Sequence, residues 1–239
     1  MILPTVRASF GRRDALHLVD LLARHDPELR ESARLRLEEQ GPDSLLDDPR
    51  IRSALLTDPD VQAPPALVFY VLVRQALLEG GVDSTSVADF VASVVLAFAR
   101  TERAYRISEE STEEFHYLVD MVEQLRTAEA RRAFLIRAHL GNYALWLAGL
   151  FPDYVEARVK RRGAPSIDYY DRMGRTGYRL ASESPQAAAL GVSKVMGDMA
   201  RAFTPVRASL NQLSDRYLWL GGGDPVNRLI RAITHRTDL

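Results

Sequence analysis

The stretch AHLGNYALWLAGLF, residues 138–151, is the most informative part of the sequence for the fold class. It contains no charged residue, and its clearly polar side chains are those of His139 and Asn142. A membrane-spanning helix needs about 20 apolar residues, so we expect this shorter stretch to be buried in a protein core. A helix with apolar residues on all sides belongs at the centre of a packed domain. The stretch therefore predicts an all-α fold with residues 138–151 as a central helix.

A second buried central helix is predicted for residues 87–98. Within the predicted helix 86–100, the polar residues form a narrow stripe that includes Ser86, Asp89 and Ser93, and nearly every other position is apolar. Such a narrow polar stripe is typical of a helix that is largely covered by its neighbours.

The run ALVFYVLV, residues 66–73, leaves two interpretations open because β-branched and aromatic residues also suit a buried strand. We favour a helix for two reasons. The apolar run continues without a break to Glu79, and Pro64 and Pro65 precede it, where the start of a helix tolerates proline but a central strand does not.

Helix starts are marked by a capping residue followed by proline, because proline suits the first helical position and the residue before it can accept backbone hydrogen bonds. Gly41, Gly80, Gly81 and Gly163 are placed where helices end. We predict a compact multi-helix bundle of about ten to twelve helices. The predicted helices are residues 12–25, 27–40, 49–56, 64–79, 86–100, 109–126, 128–150, 153–162, 166–182, 185–202, 205–219 and 225–236.

The chain is predicted to have three parts. Residues 1–60 are more charged and rich in Asp-Pro pairs, and we assign them to a peripheral helical subdomain. Residues 61–220 form the main helical domain, and residues 221–239 contain a glycine hinge and a C-terminal amphipathic helix. That last helix has one apolar face and is the predicted contact for a second copy or another protein. The face consists of Val226, Leu229, Ile230 and Ile233.

Composition excludes several classes of protein. The 239 residues include no cysteine, so disulfides, thiolate metal sites and a thiol nucleophile are ruled out. The formal net charge of −1 gives no overall field that favours nucleic acid or an anionic membrane. The N-terminus lacks the apolar run of a signal peptide, and no stretch predicts a transmembrane helix. These features predict a cytoplasmic protein without membrane contact.

Catalytic and metal-binding motifs are not evident in the sequence. It contains no Gly-x-Ser-x-Gly elbow and no His-Glu-x-x-His pair. Glu113-x-x-His116 has the spacing of a bundle metal site, but helical periodicity places the pair opposite an apolar stripe that includes Phe115, Leu118 and Val119. We therefore predict no metal site and no cofactor, and the sequence favours a protein without catalytic activity while leaving an enzyme open.

The segment from Phe134 to Tyr178 is a candidate ligand site because it is rich in aromatic residues. One face of an apolar helix there carries polar groups at positions i, i+3, i+4 and i+7, which are His139, Asn142, Tyr143 and Trp146. Buried polar groups need hydrogen-bond partners, which are either other side chains or a ligand. Tight helix packing is the alternative, since Gly141, Gly174 and Gly177 allow close approach of two helices. The predicted site residues are His139, Asn142, Tyr143, Trp146, Tyr169, Tyr170 and Tyr178.

A basic patch next to this segment is a candidate anion site. It could hold a phosphate group or a nucleic-acid backbone, although the net charge disfavours nucleic acid. A purely structural explanation is also available, because Asp168 can pair with Arg172 and cations at the end of a helix complement its dipole. The patch consists of Arg158, Arg161, Arg162, Arg172, Arg175 and Arg179.

Three functions follow from these features. The first is a helical interaction or regulatory protein that uses the C-terminal helix. The second is a small-molecule-binding protein or enzyme with an aromatic pocket within residues 139–178. The third is binding of nucleic acid or another anion through the basic patch.

Overall fold

The computed structural model of the chain describes residues 1–24, 26, 28–58, 61, 63–99, 101–108 and 113–218, and every regular element within these ranges is helical. The prediction of an all-α bundle is confirmed, and eleven of the described helices have seven or more residues. The helices are α1 (Arg12–Ala23), α2 (Leu29–Gln40), α3 (Asp43–Leu46), α4 (Pro49–Thr57), α5 (Pro65–Glu79), α6 (Thr85–Phe98), α7 (Thr101–Ala104), α8 (Leu118–Gln124), α9 (Ala130–Leu150), α10 (Pro152–Arg162), α11 (Ile167–Ser182), α12 (Pro185–Ala189), α13 (Ser193–Arg201) and α14 (Phe203–Leu213).

Helix α9 lies at the centre of the bundle, and all of its residues from Ala138 to Leu150 are buried. It packs mainly against α11 and α14. The last carbonyl groups of α9 have no hydrogen-bond partner within the helix. Side chains of α14 and of the turn that follows it donate to them. The Asn211 amide donates to the carbonyl oxygens of Ala148 and Gly149, each at 2.8 Å. The apolar stretch that predicts a central helix therefore occupies that position.

Helices α5 and α6 complete the buried centre. Residues 66–73, for which a strand was the alternative, are helical, and α5 is buried from Leu67 to Leu77. Helix α6 is buried from Val87 to Val95 and again at Phe98, as expected for the second central helix. The buried apolar side chains form one continuous core from Ile2 to Leu213.

Buried polar contacts connect the first part of the chain to α5 and α6. Arg74 on α5 forms two parallel hydrogen bonds with Asp47 at 2.7 and 2.6 Å and a further ion pair with Asp83 at 2.7 Å. The Asp89 carboxylate on α6 accepts from the backbone N–H of Arg7 at 2.8 Å. The Arg74 side chain is 4% exposed, so removal of Asp47 would leave its buried charge with fewer partners. The division of the chain at residue 60 stays a prediction.

Three predicted helices differ from the structure by more than two residues in their described parts. The single helix predicted for residues 109–126 is wrong in its described part, because residues 113–117 are not helical and α8 covers only Leu118–Gln124. The helix predicted for residues 185–202 is divided into α12 and α13 at Gly191, whose φ of +68° belongs to the left-handed region. Helix α14 ends at Leu213, and a π-helical turn follows it over Ser214–Leu218.

The C-terminal helix predicted for residues 225–236, with Val226, Leu229, Ile230 and Ile233, lies outside the described residues, as does the glycine hinge before it. The partner assigned to that helix therefore stays a prediction. Among the helices that the structure describes, none is both long enough and apolar enough for a membrane crossing.

Candidate functional site

A cleft between α9, α10 and the segments on either side of residues 109–112 is the best candidate site. Its volume is about 490 Å³, which falls in the range of about 300–1,000 Å³ that is common for small-molecule sites. We call it the tyrosine–arginine cleft. Its lining residues are Tyr105, His116, Tyr117, Tyr143, Tyr154, Ala157, Arg158, Arg161 and Arg162.

One wall of the cleft is a single face of α10. The helix begins at Pro152, which suits the first helical position, and ends before Gly163 in the left-handed conformation with φ of +59°. Its five lining residues recur at intervals of three and four, as expected for neighbours on one helical face. They are Tyr154, Ala157, Arg158, Arg161 and Arg162.

Arg158, which belongs to this wall, contacts two tyrosine rings. Its central guanidinium carbon lies over the ring of Tyr117 and over the ring of Tyr154, 5.5 Å from each centroid. A cation over an aromatic face contributes about 0.5–1 kcal/mol where it is accessible to solvent. Because Tyr117 precedes α8 and Tyr154 belongs to α10, the contact also joins the two walls of the cleft.

The opposite wall contains Tyr105, His116 and Tyr143. The Tyr143 hydroxyl group donates to the backbone carbonyl oxygen of His116 at 3.1 Å, and the Phe115 N–H donates to the Tyr105 carbonyl oxygen at 2.7 Å. The rings of Tyr105 and His116 lie against each other with their centroids 4.4 Å apart. The first of these contacts joins the non-helical residues 113–117 to α9, the others join them to Tyr105, and the wall is largely aromatic.

The described residues that line the cleft carry positive charge, which comes from Arg158, Arg161 and Arg162. None of the described residues that line it is acidic. No ion pair joins Arg158, Arg161 or Arg162 to a carboxylate of another described residue, whereas His116 lies 3.7 Å from Glu114 outside the lining. Burial raises the pKa of Tyr143 above its usual value, while the nearby charge of Arg158 acts in the opposite direction. The Tyr143 hydroxyl group is therefore neutral, and it donates to the His116 carbonyl oxygen.

Of the seven aromatic and polar residues predicted as a ligand site, Tyr143 lines the cleft and the others do not. Asn142 accepts a hydrogen bond from the Tyr178 hydroxyl group at 2.9 Å, and both side chains are buried between α9 and α11. Tyr169 and Tyr170 contact each other edge to face with centroids 5.9 Å apart. Tyr143 also contacts two other members of the set, with its ring centroid 5.9 Å from that of Trp146 and 6.3 Å from that of His139.

His139 and Trp146, the remaining two residues of that set, are buried behind the cleft. Both contact Phe98 edge to face, with centroid distances of 5.6 and 5.8 Å. His139 has a hydrogen bond with the Ala104 backbone, but its Nε2 atom and the Nε1 atom of Trp146 have no partner among the described residues. A buried polar atom without a partner costs about 1–3 kcal/mol, so these atoms destabilise the core unless water reaches them.

The six predicted arginines fall into two groups. Arg158, Arg161 and Arg162 line the cleft, whereas the three arginines of α11 do not. The side chain of Arg175 donates to Thr204 at 2.9 Å, and that of Arg179 pairs with Glu183 at 3.1 Å. Arg172 is exposed. The structure therefore places half of the predicted anion site beside the aromatic wall.

No group of three or more histidine or carboxylate side chains in the described part of the chain is placed to hold a metal ion. The Glu113-x-x-His116 pair, whose side chains were expected to point to solvent, is exposed at both residues. His116 nevertheless lines the cleft, and it lies in a segment, residues 113–117, that is not helical.

Four aromatic or imidazole side chains of the cleft were not predicted as site residues: Tyr105, His116, Tyr117 and Tyr154. Only Tyr154 could have been found from the sequence, because it lies four residues before Arg158 and so shares its face of a helix. The other three are far from α10 in sequence, and His116 and Tyr117 belong to the non-helical residues 113–117.

Comparison of the chain with protein-family models, curated proteins and solved structures gives no match.

Proposed function

We propose that the chain binds a small organic anion in the tyrosine–arginine cleft, with the oxyanion group of the ligand on Arg158. The observation that supports this proposal is the position of the Arg158 guanidinium over the rings of Tyr117 and Tyr154. Ring contacts cover the faces of a guanidinium and leave the N–H groups at its edge to form hydrogen bonds. These N–H groups suit the two parallel hydrogen bonds of a carboxylate or phosphate.

Preorganisation strengthens this argument. Fixing a long side chain costs about 0.5–1.5 kcal/mol when a ligand binds, and for Arg158 the ring contacts supply part of that ordering in advance. Among the described residues, none that lines the cleft is a carboxylate that could compete with a ligand for the guanidinium. The aromatic wall of Tyr105, His116 and Tyr143 provides apolar surface for the rest of the molecule.

The Arg158→Gln variant should lose most of the affinity for such an anion. Hydrogen bonds to charged groups contribute about 1.5–3 kcal/mol, so we expect the Kd for benzoate or phenyl phosphate to rise at least about tenfold. Arg158→Lys keeps the charge but removes the planar set of donors, and it should weaken binding as well. Isothermal titration calorimetry of the full chain measures both effects.

Lys160→Gln is the matched control, because Lys160 is on the same helix but does not line the cleft. Its side chain is 77% exposed and lies 3.9 Å from Glu156. We expect this variant to bind both probes like the parent. Equal losses in the Arg158 and Lys160 variants would show general charge attraction instead of a site, and no binding of either probe to the parent would contradict the proposal.

A further inference from the structure

We infer that the ligand of the tyrosine–arginine cleft is an aromatic phosphate monoester, a planar ring attached to one phosphate group. The inference rests on the proposed function and specifies its ligand class. Three observations support it. Three arginines lie on one face of α10, none of the described lining residues is acidic, and an aromatic wall faces the arginines.

Three arginines lie close together near the end of α10. Arg158, Arg161 and Arg162 occupy the last two turns of α10, at intervals of three and four residues. Like charges at these spacings on a helix repel each other. The helix dipole offsets part of this cost. A bound anion would offset the remainder, and the anion with the best charge match carries more than one negative charge.

The choice between a carboxylate and a phosphate follows from charge and geometry. A carboxylate carries one negative charge on two oxygens in one plane, whereas a phosphate monoester carries about −1.5 to −2 at pH 7 on three terminal oxygens. Three oxygens arranged around phosphorus can accept from several guanidinium groups that approach from different directions. Three arginines without carboxylate partners among the described residues therefore match a phosphate better than a carboxylate.

The aromatic part follows from the opposite wall. Tyr105, His116 and Tyr143 present three rings to the cleft, with Tyr105 and His116 in direct contact at 4.4 Å. A planar ring is stabilised when it stacks on an aromatic side chain. The volume of about 490 Å³ exceeds what one inorganic phosphate would fill. A ring and a phosphate on one small molecule would use both walls together.

The test compares three probes on the full chain by isothermal titration calorimetry: phenyl phosphate, benzoate and inorganic phosphate. We expect phenyl phosphate to bind at least about tenfold more tightly than either of the others, a difference of about 1.4 kcal/mol. The double variant Arg161→Gln and Arg162→Gln should raise the Kd of phenyl phosphate at least about tenfold and that of benzoate less than about threefold. The reason is that the guanidinium of Arg158 alone can form both hydrogen bonds with a carboxylate.

The outcomes separate the two levels of the argument. If benzoate binds as tightly as phenyl phosphate and both depend on Arg158, the proposed function stands and the phosphate inference is wrong. If inorganic phosphate equals phenyl phosphate, the ring has no role and the inference is also wrong. If no probe binds, both are wrong. A single-stranded oligonucleotide that binds about a hundredfold more tightly than phenyl phosphate, with a steep salt dependence, would replace the inference with a nucleic-acid site.

Discussion

Replacement of Gly177 by alanine is expected to lower the free energy of unfolding by about 2 kcal/mol or more. A Cβ atom at Gly177 would lie 2.7 Å from the carbonyl oxygen of Arg137 and 2.9 Å from Cδ2 of Leu140. The carbonyl oxygen belongs to the backbone of α9, so relief of the clash requires α9 and α11 to separate. Such overpacking costs about 3 kcal/mol, and the better helix propensity of alanine returns about 1 kcal/mol.

Gly197→Ala is the matched control for this experiment. Gly197 also lies within a helix, but the nearest described neighbour of a Cβ atom there would be Nη1 of Arg201 at 3.5 Å, an ordinary contact distance. Alanine at this position should therefore stabilise the chain by about 0.5–1 kcal/mol. Urea denaturation of both variants measures the difference. Equal stability of the two variants would show that α9 and α11 are not in close contact at Gly177.

The same contact explains why the glycines of residues 134–178 do not form a ligand pocket. Besides the clash at Gly177, a Cβ atom at Gly141 would lie 2.6 Å from the Tyr178 ring, and one at Gly174 would lie 2.2 Å from the Phe203 ring. The sequence left tight helix packing and a pocket as alternatives for these glycines. At these three positions, neighbouring side chains and backbone fill the space.

Features that depend on a few neighbouring residues could be predicted from the sequence. The Asp48 side chain accepts from the Arg50 N–H and α4 begins at Pro49, and the Ser184 side chain accepts from the Ala187 N–H and α12 begins at Pro185. The helix start predicted at residue 205, where Pro205 follows Thr204, shows the limit of such a prediction. Helix α14 begins earlier, at Phe203, and Thr204 donates to Asp171 on α11 instead of capping a helix.

Only some of the residues that line the cleft could be predicted from the sequence. Helical spacing within α10 brings Arg158, Arg161 and Arg162 together, and the sequence was sufficient to find them. The aromatic wall depends on contacts between distant residues, such as the hydrogen bond from Tyr143 to the His116 carbonyl group. The apolar periodicity around Leu118 predicts one continuous helix, and that helix would have directed His116 away from the bundle.

Acidification should destabilise the chain through His139. The side chain is 2% exposed, and burial is the main reason that its pKa falls from 6.5 to about 3 in the folded chain. The positive charge of Arg103 also lowers the pKa, while the hydrogen bond with the Ala104 backbone raises it. The unfolded chain can therefore bind a proton at a pH where the folded chain cannot.

The sign of the effect follows from this difference. Between pH 6.5 and 3, the unfolded state binds more protons at His139, so the free energy of unfolding decreases as the pH falls. At pH 5 the loss due to this one residue is about 2 kcal/mol relative to pH 7.5. Below the folded-state pKa both states are protonated, and the contribution no longer changes.

His139→Gln and His139→Leu isolate this contribution, because each variant keeps every carboxylate of the parent and removes only the titrating imidazole. Glutamine can still donate a hydrogen bond at this position, whereas leucine replaces the unpartnered Nε2 atom with apolar surface. Urea denaturation from pH 7.5 to pH 4.5, followed by circular dichroism, should show a steeper loss of stability in the parent than in either variant. Parallel pH profiles would mean that water reaches His139 in the folded chain, because only a solvated imidazole can accept the proton without the cost of burial.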